Sequence, residues 1–395
     1  MATTVTFFPV DNGDMTLVKF GDAEGTTLLI DINIRKGADD TKSEVRDVAK
    51  DLRDRLKKDG NGRPFVDAFL LSHPDKDHCS GLERHFFLGP LADYPDDDKD
   101  YKDKKIVIRE MWSSPIVFRR ASKSHTLCAD AKAFNKEARR RVALNREKKF
   151  AVQDGDRIQL MGEDIDGKTD DLGPICRKVN TTFNTICGRK SSYFSAYLLG
   201  PIEVQDDEDR EALLAKNHSS VIINFTLAAD SSTPDGAKFL SGGDAEVYIW
   251  REQWSRHKHE RAVLEYDLLQ APHHCSWHSM SEDSWSEKKR EAKVDADARS
   301  ALSQVRSGGF IVASSKPIKD DDNDPPCIRA KEEYGAILKG VGGTFYCTGE
   351  YPKESLVEPL EFTVGKSGLT PPAKKDSGAK AASVITAART PMPHG

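Results

Sequence analysis

Short apolar runs, separated by polar segments that contain Gly and Pro, recur along the chain. They predict strands near residues 5–9, 16–20, 26–31, 66–71, 106–110, 195–200, 219–227, 237–241, 265–270, 309–313 and 344–347. Longer amphipathic stretches predict helices near 42–58, 128–148, 246–256, 281–306 and 328–339. Hairpins join the early strands and helices join the later ones. The pattern is typical of an α/β (α+β) protein with two packed mixed β-sheets and helices on their outer faces.

A dense polar cluster follows one of these predicted strands directly. The segment from His73 to His78 reads His-Pro-Asp-Lys-Asp-His, so two histidines and two aspartates fall within six residues. Imidazole nitrogens and carboxylate oxygens are the ligands that zinc, manganese and iron share. One His beside one Asp would fit an ordinary polar loop, but the alternating pattern is rarer. We therefore predict a metal-binding loop at the carboxyl edge of a sheet, where Gly81 lets the chain turn.

Two later strands also end in residues that can bind metals. Asp244 follows the run 239–241 and a Gly-Gly pair, and His273 and His274 follow the run 268–271. Taken alone, a Gly-Asp pair is ordinary turn chemistry, and a histidine can end a buried strand. Adjacent residues of a strand face opposite ways, which predicts that only one of the two histidines is a ligand.

These motifs, taken in order, resemble the metallo-β-lactamase superfamily. The His-Pro-Asp-x-Asp-His form is similar to that of the soluble hydrolase domain of the DNA-uptake competence protein ComEC and its stand-alone relatives. Residues 10–15 and 27–31 resemble the family's first hairpin, and residues 217–223 its Asn-x-x-Ser strand. Asp244 matches the aspartate that bridges two metals, and residues 273–276 resemble the His-His-Gly-Ser element. The resemblance implies the metallo-β-lactamase fold, an αββα sandwich.

The resemblance also implies a dinuclear site for two divalent ions, Zn²⁺ or Mn²⁺, with Mg²⁺ as a further option. His73 and Asp75 would hold one ion, Asp77, His78 and His273 would hold the other, and Asp244 would lie between them. The implied catalytic residues are Asp75, Asp77 and His274, with His274 assigned to proton transfer or phosphate contact. The implied substrate contacts include Asn217, Ser219 and Ser276.

Two histidines of the family pattern have no clear counterpart here. The superfamily often has a further His before the bridging Asp, for which His85, His125 and His218 are candidates that also suit ordinary surface positions. The relatives also have a Gly-His-Pro loop after the strand that corresponds to 309–314. This chain has Asp-Asn-Asp-Pro-Pro at 322–326 instead.

Composition and segment boundaries favour one soluble cytoplasmic domain. Hydrophobic residues make up 37% of the chain and charged residues 31%, and no apolar run approaches a membrane span. The seven cysteines are odd in number and lack a C-x-x-C pair, so we expect reduced thiols. The motifs predict a hydrolase domain at 1–364 with insertions near 92–105, 120–150 and 154–192, the last long enough to lie over the active site. A disordered tail is expected at 365–395.

A basic stretch at 132–149 is the main candidate for contact with nucleic acid. It has eight basic side chains against two acidic ones, although the whole chain has a net charge of -5. A solvated helix face is the ordinary interpretation, and contacts from Arg139, Arg140 and Arg141 to phosphates are the alternative.

We therefore expect a metal-dependent hydrolase, with a phosphodiesterase or nuclease acting on nucleic acid or a nucleotide as the leading interpretation. A hydrolase of amides, esters or thioesters, including a peptidase, would use the same ions. A binding protein with a degraded metal site is the third alternative, since two histidines of the pattern are missing. The sequence leaves the oligomeric state open, and it indicates no membrane partner.

Overall fold

Two large mixed sheets form the centre of the molecule. The structure is a computed structural model that describes residues 1–40, 42–124 and 126–372. The first sheet contains, in spatial order, Cys176–Arg177, Arg157–Met161, Ile106–Ser113, Pro64–Leu70, Thr27–Ile30, Thr16–Lys19, Thr3–Phe7, Leu360–Gly365 and Gly368–Thr370, with Lys57–Lys58 and Phe86–Phe87 beside it. The second contains Thr182–Phe183, Phe194–Gly200, Ile222–Leu227, Ala237–Ser241, Tyr266–Gln270, Val305–Ala313 and Thr344–Cys347.

Helices cover the outer faces of both sheets. The helices of the described residues include Val48–Arg53, Lys76–Cys79, Leu82–His85, Pro115–Ser124, Ala129–Glu147, Glu208–Leu213, Val247–His257, Trp285–Lys288, Ala296–Leu302 and Ile328–Lys339. One apolar cluster joins the first sheet to Leu52 and Phe134, and another joins the second sheet to Trp250 and Tyr334. A third cluster contains residues of both sheets, such as Phe7 and Phe239. The layers therefore run helix, sheet, sheet, helix, and the predicted mixed α/β sandwich with two packed sheets is confirmed.

The strands are apolar on both faces because each sheet is covered on both sides. Leu28 and Ile30 lie in the core between the sheets, whereas Leu29 packs toward the helices. In the second sheet, Leu268 and Leu269 divide in the same way. Successive side chains of a strand point to opposite faces, so continuous apolar runs are expected in such sheets.

The predicted strands are confirmed more closely than the predicted helices. The helix expected at 42–58 is only Val48–Arg53, and the one expected at 281–306 divides into Trp285–Lys288 and Ala296–Leu302. The second of these begins after Asp295, whose carboxylate accepts hydrogen bonds from the amides of Asp297 and Ala298. This side-chain cap marks a new helix start in the middle of the predicted helix.

Two of the expected segment boundaries are wrong. The stretch 154–192 is not an insertion into the fold, because it contributes Arg157–Met161 to the first sheet and Thr182–Phe183 to the second. Its Phe183 and Ile186 lie in the core between the sheets. The tail expected from residue 365 starts too early, because Gly368–Thr370 pairs with Leu360–Gly365. Residues 373–395 lie outside the described part of the chain.

Parallel pairing brings several loops to one edge. Thr27–Ile30, Pro64–Leu70 and Ile106–Ser113 are parallel neighbours in the first sheet, as are Ala237–Ser241, Tyr266–Gln270 and Val305–Ala313 in the second. The carboxyl ends of each set lie at the same edge of its sheet. The two edges meet where the amide of Val221 donates to the carbonyl of Ser72 at 3.0 Å.

Candidate metal centre

Asp244 lies at the centre of a cluster of four histidines. Its Oδ2 is 3.4 Å from His73 Nε2 and 3.7 Å from His273 Nε2. Its Oδ1 is 3.0 Å from His78 Nε2 and 3.5 Å from His274 Nε2. Each carboxylate oxygen therefore faces its own pair of imidazoles, and all four rings present the same nitrogen to it.

The opposite nitrogens of two of these rings are held by a hydrogen-bond chain. His78 Nδ1 is 2.8 Å from Asp31 Oδ2, which also accepts the Ser72 hydroxyl at 2.5 Å. That hydroxyl lies 3.1 Å from His73 Nδ1. Because the Ser72 proton points at Asp31, its oxygen is free to accept from His73. Both rings therefore place Nδ1 on a hydrogen-bond partner and Nε2 toward Asp244, which is the arrangement that metal-ligating histidines have.

The other two rings have acidic neighbours in the corresponding places. His273 Nδ1 is 3.4 Å from Glu246 Oε1, and His274 Nδ1 is 3.4 Å from Asp14 Oδ1. Asn217 donates to Glu246 at 3.0 Å and lies 3.4 Å from His273 Nε2. Asn217 therefore lies at the site. Its contacts are with Glu246 and His273, and its role as a substrate contact stays a prediction.

The backbone at 273–275 explains how both adjacent histidines reach Asp244. His273, His274 and Cys275 all have positive φ, at 50°, 53° and 68°. The expectation that only one histidine faces the site assumed strand geometry and is wrong, because the strand ends at Gln270 and a left-handed turn follows. Bulky residues rarely adopt this conformation, and it concentrates at functional sites.

Asp75 and Asp77 lie at the open side of the cluster. Their side chains are 36% and 40% exposed, whereas those of His73 and His78 are buried. Asp75 Oδ2 is 4.0 Å from His73 Nε2, and Asp77 Oδ2 is 3.4 Å from His274 Nε2. The structure thus associates Asp77 and His78 with His274, not with His273 as the sequence had grouped them.

The donor set fits a metal ion. One ligand atom each from Asp14, His78, Asp244 and His274 lies within 4.8 Å of the other three, and all four residues are buried. Five polar atoms here are buried and have charged neighbours but no hydrogen bond within the described residues: Asp14 Oδ1, His73 Nε2, Asp244 Oδ1, His273 Nδ1 and His274 Nδ1. Leaving a buried polar atom without a hydrogen bond costs about 1–3 kcal/mol, and a bound cation would remove part of that cost. This buried cluster can hold a metal ion.

The charges of the cluster stabilise one another strongly. Burial raises the pKa of Asp244, but the surrounding imidazoles, first His78 and then His274, hold it well below its usual range. Burial lowers the pKa of His78, but Asp244 and Asp31 outweigh it and raise the pKa well above its usual value. Burial also lowers the pKa of His274, but the nearby carboxylates, Asp244 first, outweigh burial and raise this pKa to about 10. The site is thus built around an ionised carboxylate.

Sequence reasoning missed three residues of the site. Asp14 belongs to the cluster, Asp31 orients His78 and Glu246 faces His273. Asp14 and Asp31 lie in the segments that resemble the family's first hairpin. Asp14 follows a turn and Asp31 follows a strand, and these positions could have indicated that both belong to the site. Glu246 gave no signal, because an acid two residues after Asp244 is common at the start of a helix.

Three of the expected substrate contacts are wrong because their side chains are buried and occupied. Ser219 is 1% exposed and accepts from Arg120 at 3.2 Å. Ser276 is 0% exposed and accepts from the amide of His278. Arg141 is 1% exposed, pairs with Glu137 at 2.7 Å and donates to backbone carbonyls. None of the three side chains is therefore exposed to a substrate in this structure.

In the helix Ala129–Glu147, Arg140 and Arg141 are neutralised by acidic side chains, and Arg141 lies away from the site. Arg140 pairs with Glu137 and Asp156, and only Arg139 of the three expected arginines is exposed. Arg141 donates to the carbonyl of Ile108, near the amino end of Ile106–Ser113, whereas the candidate ligands follow the carboxyl ends. These contacts fit a helix with a solvent-exposed basic face better than a helix that binds the phosphates of a substrate.

The candidates for the missing histidines divide three ways. His218 Nε2 is 3.3 Å from Glu246 Oε2, at the rim of the site. His85 pairs with Asp39 at 3.1 Å, away from Asp244. His125 lies outside the described residues. In the loop without histidine, Asp324 accepts from the amide of Trp277 at 3.0 Å.

Comparison with protein-family models gives no match, and comparison with curated proteins gives none either. Within the described residues, no helix is long and apolar enough to cross a membrane.

Proposed function

We propose that this protein is a metal-dependent hydrolase of the metallo-β-lactamase fold that cleaves phosphodiester bonds in nucleic acid or a nucleotide. The observation that carries the proposal is the position of Asp244, whose two oxygens each face a separate pair of histidines. A carboxylate placed in this way suits a bridge between two ions.

The proposal assigns two ion positions to these residues. The first would be held by His73, Asp75, His273 and Asp244 Oδ2. The second would be held by Asp77, His78, His274 and Asp244 Oδ1, with Asp14 beside it. Mixed imidazole and carboxylate ligands suit Zn²⁺ or Mn²⁺, and the two exposed carboxylates leave Mg²⁺ as an option. In this assignment His274 is a metal ligand, whereas the sequence had suggested that it transfers a proton.

Divalent ions held there would lower the pKa of a water molecule and neutralise charge on a phosphoryl oxygen. The chain's own contribution is to fix the ligands. Asp31 and Ser72 hold the rings of His78 and His73 in one orientation, so little rearrangement accompanies binding. The exposed Asp75 and Asp77 leave the substrate an approach from one side.

A cavity at the same edge supports an anionic substrate. It has a volume of about 550 Å³ and is lined in part by Asn12, Lys316 and Lys319. Asn12 precedes Asp14 in the same loop, and its carbonyl accepts from Asn33 at 3.1 Å. Two acids, Asp11 and Asp321, line the same cavity; Asp11 pairs with Arg35, and neither lysine has an ion pair among the described residues. Unpaired ammonium groups would favour phosphate over a neutral amide or ester.

The test is hydrolysis of bis-p-nitrophenyl phosphate with Mn²⁺ or Zn²⁺ supplied, comparing the wild type with Asp244→Asn. We expect turnover by the wild type and a loss of at least roughly 100-fold in the variant, because the bridging charge is gone. Asp67→Asn is the matched control, since Asp67 is a buried aspartate with three hydrogen bonds elsewhere in the first sheet.

Two outcomes would contradict the proposal. Turnover of thioesters, esters or peptides without phosphodiesters would assign the other hydrolase class to the same centre. Tight binding of ions with no turnover of any of these substrates would indicate a binding protein.

A further inference from the structure

Two cysteines are in contact immediately beside the candidate ligand loop. Cys79 follows His78 directly and is fully buried, and its Sγ lies 3.5 Å from that of Cys128. Cys128 is partly exposed and caps the helix Ala129–Glu147 of 19 residues. The hydrogen bonds of the described residues include no second contact between two thiols.

The two thiols are not equivalent. The Sγ of Cys128 accepts from the amide of Ala131 at 3.5 Å, at a helix start where the backbone favours negative charge. The contact with Cys79 is the first cause that lowers the pKa of Cys128, to about 6, against burial and the charge of Asp130. Cys79 is fully buried, whereas Cys128 is partly exposed at the start of the helix, so Cys128 is the sulfur that a hydroperoxide can reach.

We propose that Cys128 is a site of oxidation by hydroperoxides and that Cys79 converts the oxidised form into a disulfide. In the first step the Cys128 thiolate attacks hydrogen peroxide, the O–O bond breaks, and the products are a sulfenic acid and, after one proton is taken up, water. In the second step the Cys79 sulfur attacks the Cys128 sulfenic sulfur. Its S–H proton leaves with the hydroxyl as a second water, and the disulfide remains.

The other cysteines of the chain are in less reactive surroundings. Cys176 is also partly exposed, but burial is the first cause that raises its pKa to about 11, and its thiol donates to the carbonyl of Gly162. Cys187, Cys275, Cys327 and Cys347 are buried. A thiolate attacks a peroxide much faster than a thiol does, so the first oxidation is directed to Cys128.

The disulfide would act on the ligand loop. A disulfide bond is about 2.05 Å long, so the two sulfurs must approach by roughly 1.5 Å. Cys79 ends the helix Lys76–Cys79, which carries Asp77 and His78, and its thiol donates to the carbonyl of Asp75 at 3.1 Å. Movement of Cys79 breaks this hydrogen bond and displaces the candidate ligands. Oxidation should thus lower metal affinity, a consequence that rests on the proposed centre.

The test treats the full chain with a small excess of hydrogen peroxide and follows each thiol by mass spectrometry. We expect a peptide linking Cys79 to Cys128, with the mass of two hydrogens lost and reversal by dithiothreitol. Cys128 should react at least roughly tenfold faster than Cys176. Cys128→Ser should abolish the linked peptide, Cys79→Ala should leave Cys128 as an unresolved sulfenic acid, and Cys176→Ser should change neither result.

Several outcomes would overturn the inference. It is refuted if Cys176 reacts as fast as Cys128, or if Cys128 is oxidised in the wild type without forming the linked peptide. Bound metal is measured in parallel before and after oxidation. If the disulfide forms and metal affinity is unchanged, the coupling to the ligand loop is refuted. Failure of metal binding in the reduced protein would instead count against the proposed function.

Discussion

Replacing Asp31 by asparagine tests the orientation of the candidate ligands more selectively than removing a ligand. The Asp31 carboxylate accepts from the amide of Ser72 at 2.7 Å, from its hydroxyl at 2.5 Å and from His78 Nδ1 at 2.8 Å. Asparagine has the same shape but only one oxygen. If that oxygen keeps the hydrogen bond from the Ser72 amide, the new NH₂ group faces His78 Nδ1.

An NH₂ group in that position donates to Nδ1 and moves the ring proton to Nε2. The nitrogen that faces Asp244 then carries a hydrogen, so it has no lone pair with which to bind a metal ion. Removing an outer partner of a ligating histidine typically lowers metal affinity about 10–100-fold, which corresponds to about 1.4–2.7 kcal/mol. We expect the Asp31→Asn variant to fall in this range.

The assay is competition for Zn²⁺ or Mn²⁺ against a chromophoric chelator, with circular dichroism to establish that the variant is folded. Asp67→Asn serves as the control, because Asp67 accepts from the Thr27 amide and hydroxyl and from Arg109, and it should leave metal affinity unchanged. A folded Asp31→Asn protein with affinity within about threefold of the wild type would refute the ring-orientation argument.

Two further predictions concern the basic helix. Arg141→Gln should reduce the free energy of unfolding by about 3–5 kcal/mol in urea titrations, because it leaves Glu137 buried with one partner fewer. Arg139 is exposed, so Arg139→Gln should change the free energy of unfolding by less than about 0.5 kcal/mol. Equal effects of the two substitutions would contradict the burial of Arg141. Burial opposes ionisation of Glu137, but Arg140 and Arg141 outweigh it and lower its pKa. Its stabilising contribution should therefore be complete above the unfolded pKa of about 4.3 and decline as pH falls through the folded value. The stability difference between the wild type and Glu137→Gln, measured from pH 7 downward, should shrink only in that acidic range, and a constant difference would count against it.

Local patterns were sufficient for the strands and for the core of the site. Apolar runs such as 66–71 and 265–270 predicted strands because both faces of each sheet are covered, and that requirement is visible in the sequence itself. Strand ends then located His73, Asp244 and His273, since parallel strands deliver their following loops to one edge. The helix at 281–306 was misjudged because the cap at Asp295 competes with an otherwise continuous helical pattern.

The sequence by itself determined the layered α/β architecture and which residue types would gather at the sheet edge. Only the tertiary structure decided the pairing of His274 with Asp77 and His78, because the left-handed turn at 273–275 is set by contacts beyond the local sequence. The same holds for Arg141, whose charge suggested a surface and whose partners, Glu137 and three backbone carbonyls, come from the helix and two strands packed together. Periodicity reports which face of an element is apolar, but the neighbour of each polar group depends on how distant elements pack.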